Sequence, residues 1–266
     1  MKYLFFGGQE SPFAQIILDG LTQAGLPPLA SIRDAKASLD IETLKSYNAD
    51  FFLVAAFAKI LKKDVIAIPS KGTIGIHPSI LPKYRGASPI QSALLRGEKQ
   101  TGTSIFLIDE KVDHGPIIRQ QSLAISDTDT YISLLERLAR LSANLCLEAL
   151  PQYVGGDLTP MVQDEKEATF TKKLTTLDAE VNLEQDKPEN IWRKIKALNP
   201  EPGAFTQLIL QNKKILRLKL LSADFQDGKL YLQEVQPEGK KPMAISAFLN
   251  GYQQVLPKFF ATFYRG

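Results

Sequence analysis

The 266-residue chain holds two histidines, and each stands in a segment with other groups able to bind or move a proton. His77 closes the run Thr73-Ile74-Gly75-Ile76-His77 and opens onto Pro78-Ser79-Ile80-Leu81-Pro82-Lys83-Tyr84-Arg85-Gly86-Ala87-Ser88-Pro89, a stretch punctuated by proline and glycine. An imidazole titrates near neutrality, so a histidine at a strand end suits general acid–base work. His114 lies in Ile108-Asp109-Glu110-Lys111-Val112-Asp113-His114-Gly115-Pro116, which adds three carboxylates. A carboxylate bonded to an imidazole fixes its tautomer and raises its basicity, and Asp113 is the expected partner of His77. Alone, His77 would more readily be a residue that fixes its loop by hydrogen bonds; the second segment tips the balance toward chemistry. Joint metal ligation by His77, Asp113 and His114 is disfavoured, because adjacent residues of an extended segment point to opposite sides, and no metal is expected.

Such groups need a scaffold, and the first half of the chain alternates short apolar runs with amphipathic stretches, the pattern of a parallel sheet flanked by helices. Strands are predicted at Tyr3–Phe6, Phe51–Phe57, Thr73–His77 and Ser104–Ile108. Ser11-Pro12 reads as an N-cap followed by proline at N1; Phe13, Ile16, Ile17, Leu21 and Ala24 then repeat at helical spacing until Gly25. A second helix, from about Tyr131 to Val154, carries Leu134, Leu135, Leu138, Leu141, Leu145 and Ala149 on one stripe, with Cys146 beside it as core packing. This α/β arrangement places His77 at the carboxyl edge of the sheet, where open α/β proteins bind ligands, and brings the segment after Ser104–Ile108 to the same edge. Gly7-Gly8 lacks the G-x-G-x-x-G spacing of a dinucleotide loop and reads as a strand-to-helix turn.

Gly155-Gly156-Asp157 ends the long helix, and the polar Gln163-Asp164-Glu165-Lys166-Glu167 reads as a linker. Beyond it, strands at Ile215–Leu221, Lys229–Val235 and Phe259–Tyr264, with turns at Asp227-Gly228 and Pro237-Glu238-Gly239, suggest a small β-barrel. The expected organisation is a catalytic domain at 1–154, a linker at 155–168 and a C-terminal domain at 169–266.

Composition sets outer limits. Hydrophobic residues at 44% and charged residues at 23% are ordinary for a folded globular protein. The longest apolar run, Phe51–Ala58, falls far short of the roughly 20 residues of a membrane span, and Tyr3–Phe6 is too short for a signal-peptide core. The single cysteine cannot form an intrachain disulfide or a multi-thiolate zinc site, which suits a reducing compartment; a cytoplasmic protein is expected. Charge is unevenly spread: residues 1–168 carry 17 Lys and Arg against 19 Asp and Glu, whereas residues 169–266 carry 15 against 10. The excess of five positive charges fits a polyanionic partner and a plain solvated face equally well; Lys172, Lys173, Lys194, Lys196, Lys213, Lys214, Lys240 and Lys241 are candidate phosphate contacts, though any one lysine is more often simply solvated.

His77 through Pro89 and Asp109 through Pro116 resemble the two signature segments of the formyltransferase family that uses 10-formyltetrahydrofolate, N-x-H-P-S-L-L-P-x-x-R-G and D-x-x-x-D-x-G. The spacing agrees as well, since 38 positions separate Gly75 from Asp113, as they separate the family's catalytic Asn and Asp. Lys196–Ala204 and Val235–Met243 are similar to signatures of the C-terminal domain in the branch that formylates methionyl initiator tRNA. The resemblance implies a Rossmann-like catalytic domain, an OB-like barrel that helps hold that tRNA, and 10-formyltetrahydrofolate as cosubstrate, in a monomer. It further implies acyl transfer with His77 and Asp113 as catalytic groups, and folate binding along Ser79, Ile80, Leu81 and Pro82 and at Asp109.

Two departures bear on activity. Gly75 stands where the family has its oxyanion-stabilising Asn, and losing one such donor typically costs about 10²–10³ in turnover. The long basic loop of the tRNA enzymes after the second strand is also largely missing, since Ile32 passes through Arg33-Asp34-Ala35-Lys36-Ala37-Ser38 almost directly into the next helix. A small amine acceptor such as an amino sugar nucleotide, or a non-catalytic folate- or RNA-binding relative, therefore stands as the alternative.

Overall fold

A computed structural model describes residues 1–36, 38–252 and 255–263. The chain divides into two units, one of residues 1–90, 99–127 and 132–172, the other of 91–98, 128–131 and 173–266. Segment 155–168 is thus packed within the first unit.

In the first unit, Tyr3-Leu4-Phe5-Phe6-Gly7 forms a wholly buried strand, β1. Ser11 then caps α1 (Pro12–Gln23), its Oγ accepting the Ala14 N–H at 3.3 Å, with proline in the first turn where its missing N–H costs nothing. Gly25, at φ 81°, turns the chain out of the helix. There follow β2 (Ala30–Ile32), α2 (Ile41–Ser46), β3 (Phe51–Ala55), α3 (Lys63–Ile66), β4 (Thr73–His77) and the short β5 (Arg85–Gly86). After α4 (Pro89–Arg96), most of which groups with the second unit, come β6 (Gln100–Leu107), β7 (Ile117–Ala124), α5 (Tyr131–Gly155) and β8 (Phe170–Thr171).

The sheet runs β2-β1-β3-β4-β6-β7. Leu4, Phe6 and Phe52 pack with Leu44 of α2 and Val65 of α3 on one face. Helix α5 buries Leu134, Leu135, Leu138, Leu145 and Ala149, and α1 approaches it so closely that a Cβ on Gly20 would lie 2.9 Å from that of Ala143. Cys146 is fully buried and desolvation pushes its thiol well above the ordinary range, in keeping with a packing role.

The expected course of segment 108–116 needs correction. The pairing β1–β2, β1–β3 and β3–β4 is parallel, but β6 runs antiparallel to β4 and β7 antiparallel to β6. The carboxyl end of β6 therefore lies beside the amino end of β4, where the Ile108 N–H donates to Thr73 O at 2.8 Å. Segment 108–116 leaves the sheet at the edge opposite His77, not at the same one.

The second unit is built on α6 (Pro188–Leu198), β9 (Phe205–Ile209), β10 (Ile215–Gln226), β11 (Lys229–Pro237), β12 (Met243–Ala244) and α7 (Ile245–Tyr252). Its antiparallel sheet has the order β12-β11-β10-β9, open at its two edge strands, over a core that includes Ile191, Ile195, Leu218, Leu232, Phe248 and Phe260. Asp227 and Gly228, at φ 51° and 76°, make the two-residue hairpin between β10 and β11 that this dipeptide favours. Residues Lys258–Phe263 form a 3₁₀ helix, not the expected strand; aromatic residues at 259, 260 and 263 meet ring to ring at that spacing, and Tyr264 lies outside the described residues. Among the described residues no helix is long and apolar enough to cross a membrane.

Candidate active site

All five residues of β4 are buried, and strand alternation puts Thr73, Gly75 and His77 on one face. The loop after His77 turns back so that Tyr84, at φ 62°, lays its carbonyl 2.9 Å from His77 Nε2. A carbonyl only accepts, so Nε2 carries the proton and Nδ1 is the nitrogen left for chemistry. Nδ1 lies 3.5 Å from Asp113 Oδ2, with the two side chains 7% and 20% exposed. The same carboxylate oxygen accepts the Gly86 N–H at 2.8 Å. Asp113 thus reaches His77 although its loop departs from the far sheet edge: the β6–β7 connection folds back across the sheet, and Asp113 itself adopts a left-handed φ of 49°. A proton taken up at Nδ1 would convert this contact into an ion pair.

Gly75 faces Phe106 directly across the β4–β6 pair. A Cβ on Gly75 would lie 2.5 Å from Phe106 Cε1, 2.7 Å from Cζ and 3.1 Å from Ile108 Cγ1. The aromatic ring lies over the bare glycine and covers strand backbone that a side chain would otherwise shield.

The other predicted residues fare differently. Ser79 and Leu81 are buried, and their polar groups are used internally. Ser79 Oγ donates to Lys83 O and Ser79 O accepts from Ser104 Oγ, while the Leu81 N–H donates to Ser104 Oγ and Leu81 O accepts from Gln120 Nε2. Ile80 and Pro82 are half-buried. Asp109 braces its own loop, Oδ2 bonding His114 Nδ1 at 2.5 Å and Oδ1 accepting the Lys111 N–H at 2.9 Å. His114 therefore points to Asp109, and through Nε2 at 3.5 Å to Glu165, rather than joining His77. Among the described residues no group of three His, Cys, Asp or Glu side chains could hold a metal ion.

Sequence reasoning missed the partners of Arg85. This side chain is 2% exposed, yet charged, and residues read as linker satisfy it. Its Nη1 and Nη2 bond Glu165 at 3.1 and 2.6 Å, and its Nε and Nη2 bond Gln163 Oε1 at 3.2 and 2.7 Å. The pairing holds the Glu165 carboxyl below the ordinary glutamate range. Further on, Thr169 and Thr171 follow the loop beyond His77. Thr169 Oγ1 accepts the Tyr84 N–H, Thr171 Oγ1 accepts the Ser88 N–H and donates to Arg85 O, and β5 pairs with β8. Nothing in the sequence marks Arg85 as buried, so no signal there announces that its acceptors come from residues read as linker.

In the second unit Lys194 Nζ donates to Glu180 O and Lys196 Nζ lies 3.4 Å from the Trp192 ring centroid, so both are engaged locally. Lys173, Lys213, Lys214, Lys240 and Lys241 are exposed.

A mixed α/β sheet that brings a histidine and an aspartate together from two glycine-bearing loops, followed by a small antiparallel domain, defines a class that the whole chain fits. This chain belongs to the formyl transferase family: residues 2–150 match formyl transferase and residues 173–230 match the formyl transferase C-terminal domain. Methionyl-tRNA formyltransferase of Dictyoglomus turgidum is 37% identical over 239 residues, covering 80% of this chain and 74% of the relative. Among solved structures, methionyl-tRNA formyltransferase from Clostridium thermocellum superposes with a TM-score of 0.68 at 20% identity, covering 89% of this chain and 99% of that one. HypX from Aquifex aeolicus in complex with tetrahydrofolic acid superposes with a TM-score of 0.74 at 18% identity over 96% of this chain, which spans about half (48%) of HypX. At these identities the two structures speak for the fold.

Proposed function

We propose that this protein transfers the formyl group of 10-formyltetrahydrofolate to the α-amino group of methionyl initiator tRNA. The names of its relatives and the folate bound to HypX support this reading. The observation that carries it is the His77–Asp113 contact, with Nε2 tied to Tyr84 O and Nδ1 facing the carboxylate, ready to take up a proton.

In the transfer the acceptor amine forms a bond to the formyl carbon, and the bond from that carbon to folate N10 breaks. The amine proton passes to His77 Nδ1 beside Asp113 and is returned to N10 as it leaves. Position 75 offers no side-chain donor to the formyl oxygen as it gains charge, so turnover is expected below that of a site with one. Ile80 and Pro82, half-buried on the loop beyond His77, are the groups left to meet the folate ring, since the polar atoms of Ser79 and Leu81 are already bonded inside the protein. The exposed lysines of the second unit would neutralise RNA phosphates.

A second reading, an amino sugar nucleotide as acceptor, is favoured by the eight-residue connection between β2 and α2, too short for an RNA-reaching loop. Incubation with 10-formyltetrahydrofolate and either charged initiator tRNA or an amino sugar nucleotide separates the two. Formylation of the tRNA alone establishes the first reading; formylation of the sugar alone replaces it with the second.

A further inference from the structure

Gln163 is 6% exposed in a segment whose preceding residues, Met161 and Val162, are 68% and 85% exposed. Its carboxamide offers two acceptor and two donor positions, and all four are used. Oε1 accepts from Arg85 Nε and Nη2, and Nε2 donates to Asp113 O at 2.9 Å and Gly115 O at 2.8 Å. The oxygen must face the guanidinium and the nitrogen the carbonyls, so the orientation of the amide is fixed by its partners.

These bonds converge on one residue. The Gly86 N–H, next in chain to Arg85, holds Asp113 by its carboxylate, while Gln163 holds Asp113 and Gly115 by their main chain. Asp113 sits at a left-handed φ of 49°, a conformation its surroundings must maintain. We infer that Gln163 is a positioning residue: it clamps the main chain on both sides of His114 so that Asp113 Oδ2 stands opposite His77 Nδ1. A carboxamide is the side chain that can accept from an arginine and donate to two carbonyls at once. Glutamate keeps the first function and loses the second; methionine, of similar length, loses both.

The inference rests on Asp113 being the partner of His77, and the test has an arm that needs no turnover. With only two histidines in the chain, the ring signals of His77 are assigned by His77→Gln and followed by NMR in full-length protein at fixed pH. In Gln163→Met the His77 signals are expected to move from their wild-type positions toward those in Asp113→Asn. In the transfer assay, kcat is expected to fall by about 10² with KM for 10-formyltetrahydrofolate within twofold, as for a misplaced catalytic group. Should Gln163→Met not fold, Gln163→Glu, which still receives Arg85, must give the same displacement. Wild-type positions for His77 in the folded variants would overturn the role of Gln163. Absence of transfer by wild-type protein would overturn the formyltransferase reading and leave the NMR result to decide on Gln163.

Discussion

Phe106 and Gly75 are complementary partners: the ring of one occupies the space into which a side chain on the other would grow, at 2.5 Å from ring carbon to would-be Cβ. The glycine is therefore half of a matched pair, and restoring a donor at position 75 requires that the ring give way.

Gly75→Asn alone is expected to destabilise the protein by about 1–3 kcal/mol through overpacking and to bring little gain in transfer. Gly75→Asn with Phe106→Leu should recover stability and raise kcat by about 10²–10³. Urea unfolding and transfer rates on the two single variants and the double variant check this, and additive effects would show that the positions are uncoupled.

His77→Ala should abolish transfer and Asp113→Asn should lower kcat by about 10²–10⁴, both with the near-ultraviolet circular dichroism of the wild type. A wild-type rate in either removes that residue from the chemistry.

Glu165 gives the fold an acid-sensitive element. Its carboxyl titrates lower in the folded protein than in the unfolded chain, so the stabilisation is complete above the ordinary glutamate range near 4.3 and is lost as pH falls through the folded value. Urea midpoints of wild type and Glu165→Gln should differ at pH 7 and draw together as the pH falls below the ordinary glutamate range.

Binding of initiator tRNA should weaken steeply with salt. Lys240→Ala with Lys241→Ala should flatten the dependence of log Kd on log salt by about 1 for each lysine that touches phosphate. An unchanged slope takes this pair out of the RNA contacts.

Much of the fold was legible in the chain itself. Ser11-Pro12 and Gly25 bracket α1, and Asp227-Gly228 marks its hairpin, because caps and left-handed turns depend on residues adjacent in sequence. The direction of β6 was not legible: apolar content marks a buried strand but says nothing of its orientation, and Ser104–Ile108 reads the same either way. The His77–Asp113 pair was found on residue types and family spacing, yet by a wrong path, with the loop folding back from the far edge. Gln163 and Glu165 were hidden for a different reason. They are polar, flank exposed residues and resemble a linker, and only the tertiary structure reveals the buried Arg85 whose donors they accept.

That arginine determines where the polypeptide can be cut. A fragment ending at Val154 keeps every strand of the six-stranded sheet but strips Arg85 of Gln163 and Glu165, and of the Phe170 ring beside it, next to the loop that presents Tyr84 and Gly86. Removing the partners of a buried charge is strongly destabilising, so that loop is expected to loosen in such a fragment. A fragment meant to keep the histidine–aspartate pair is therefore expected to need the chain past the helix end to Thr171, which bonds the loop at Ser88 and Arg85.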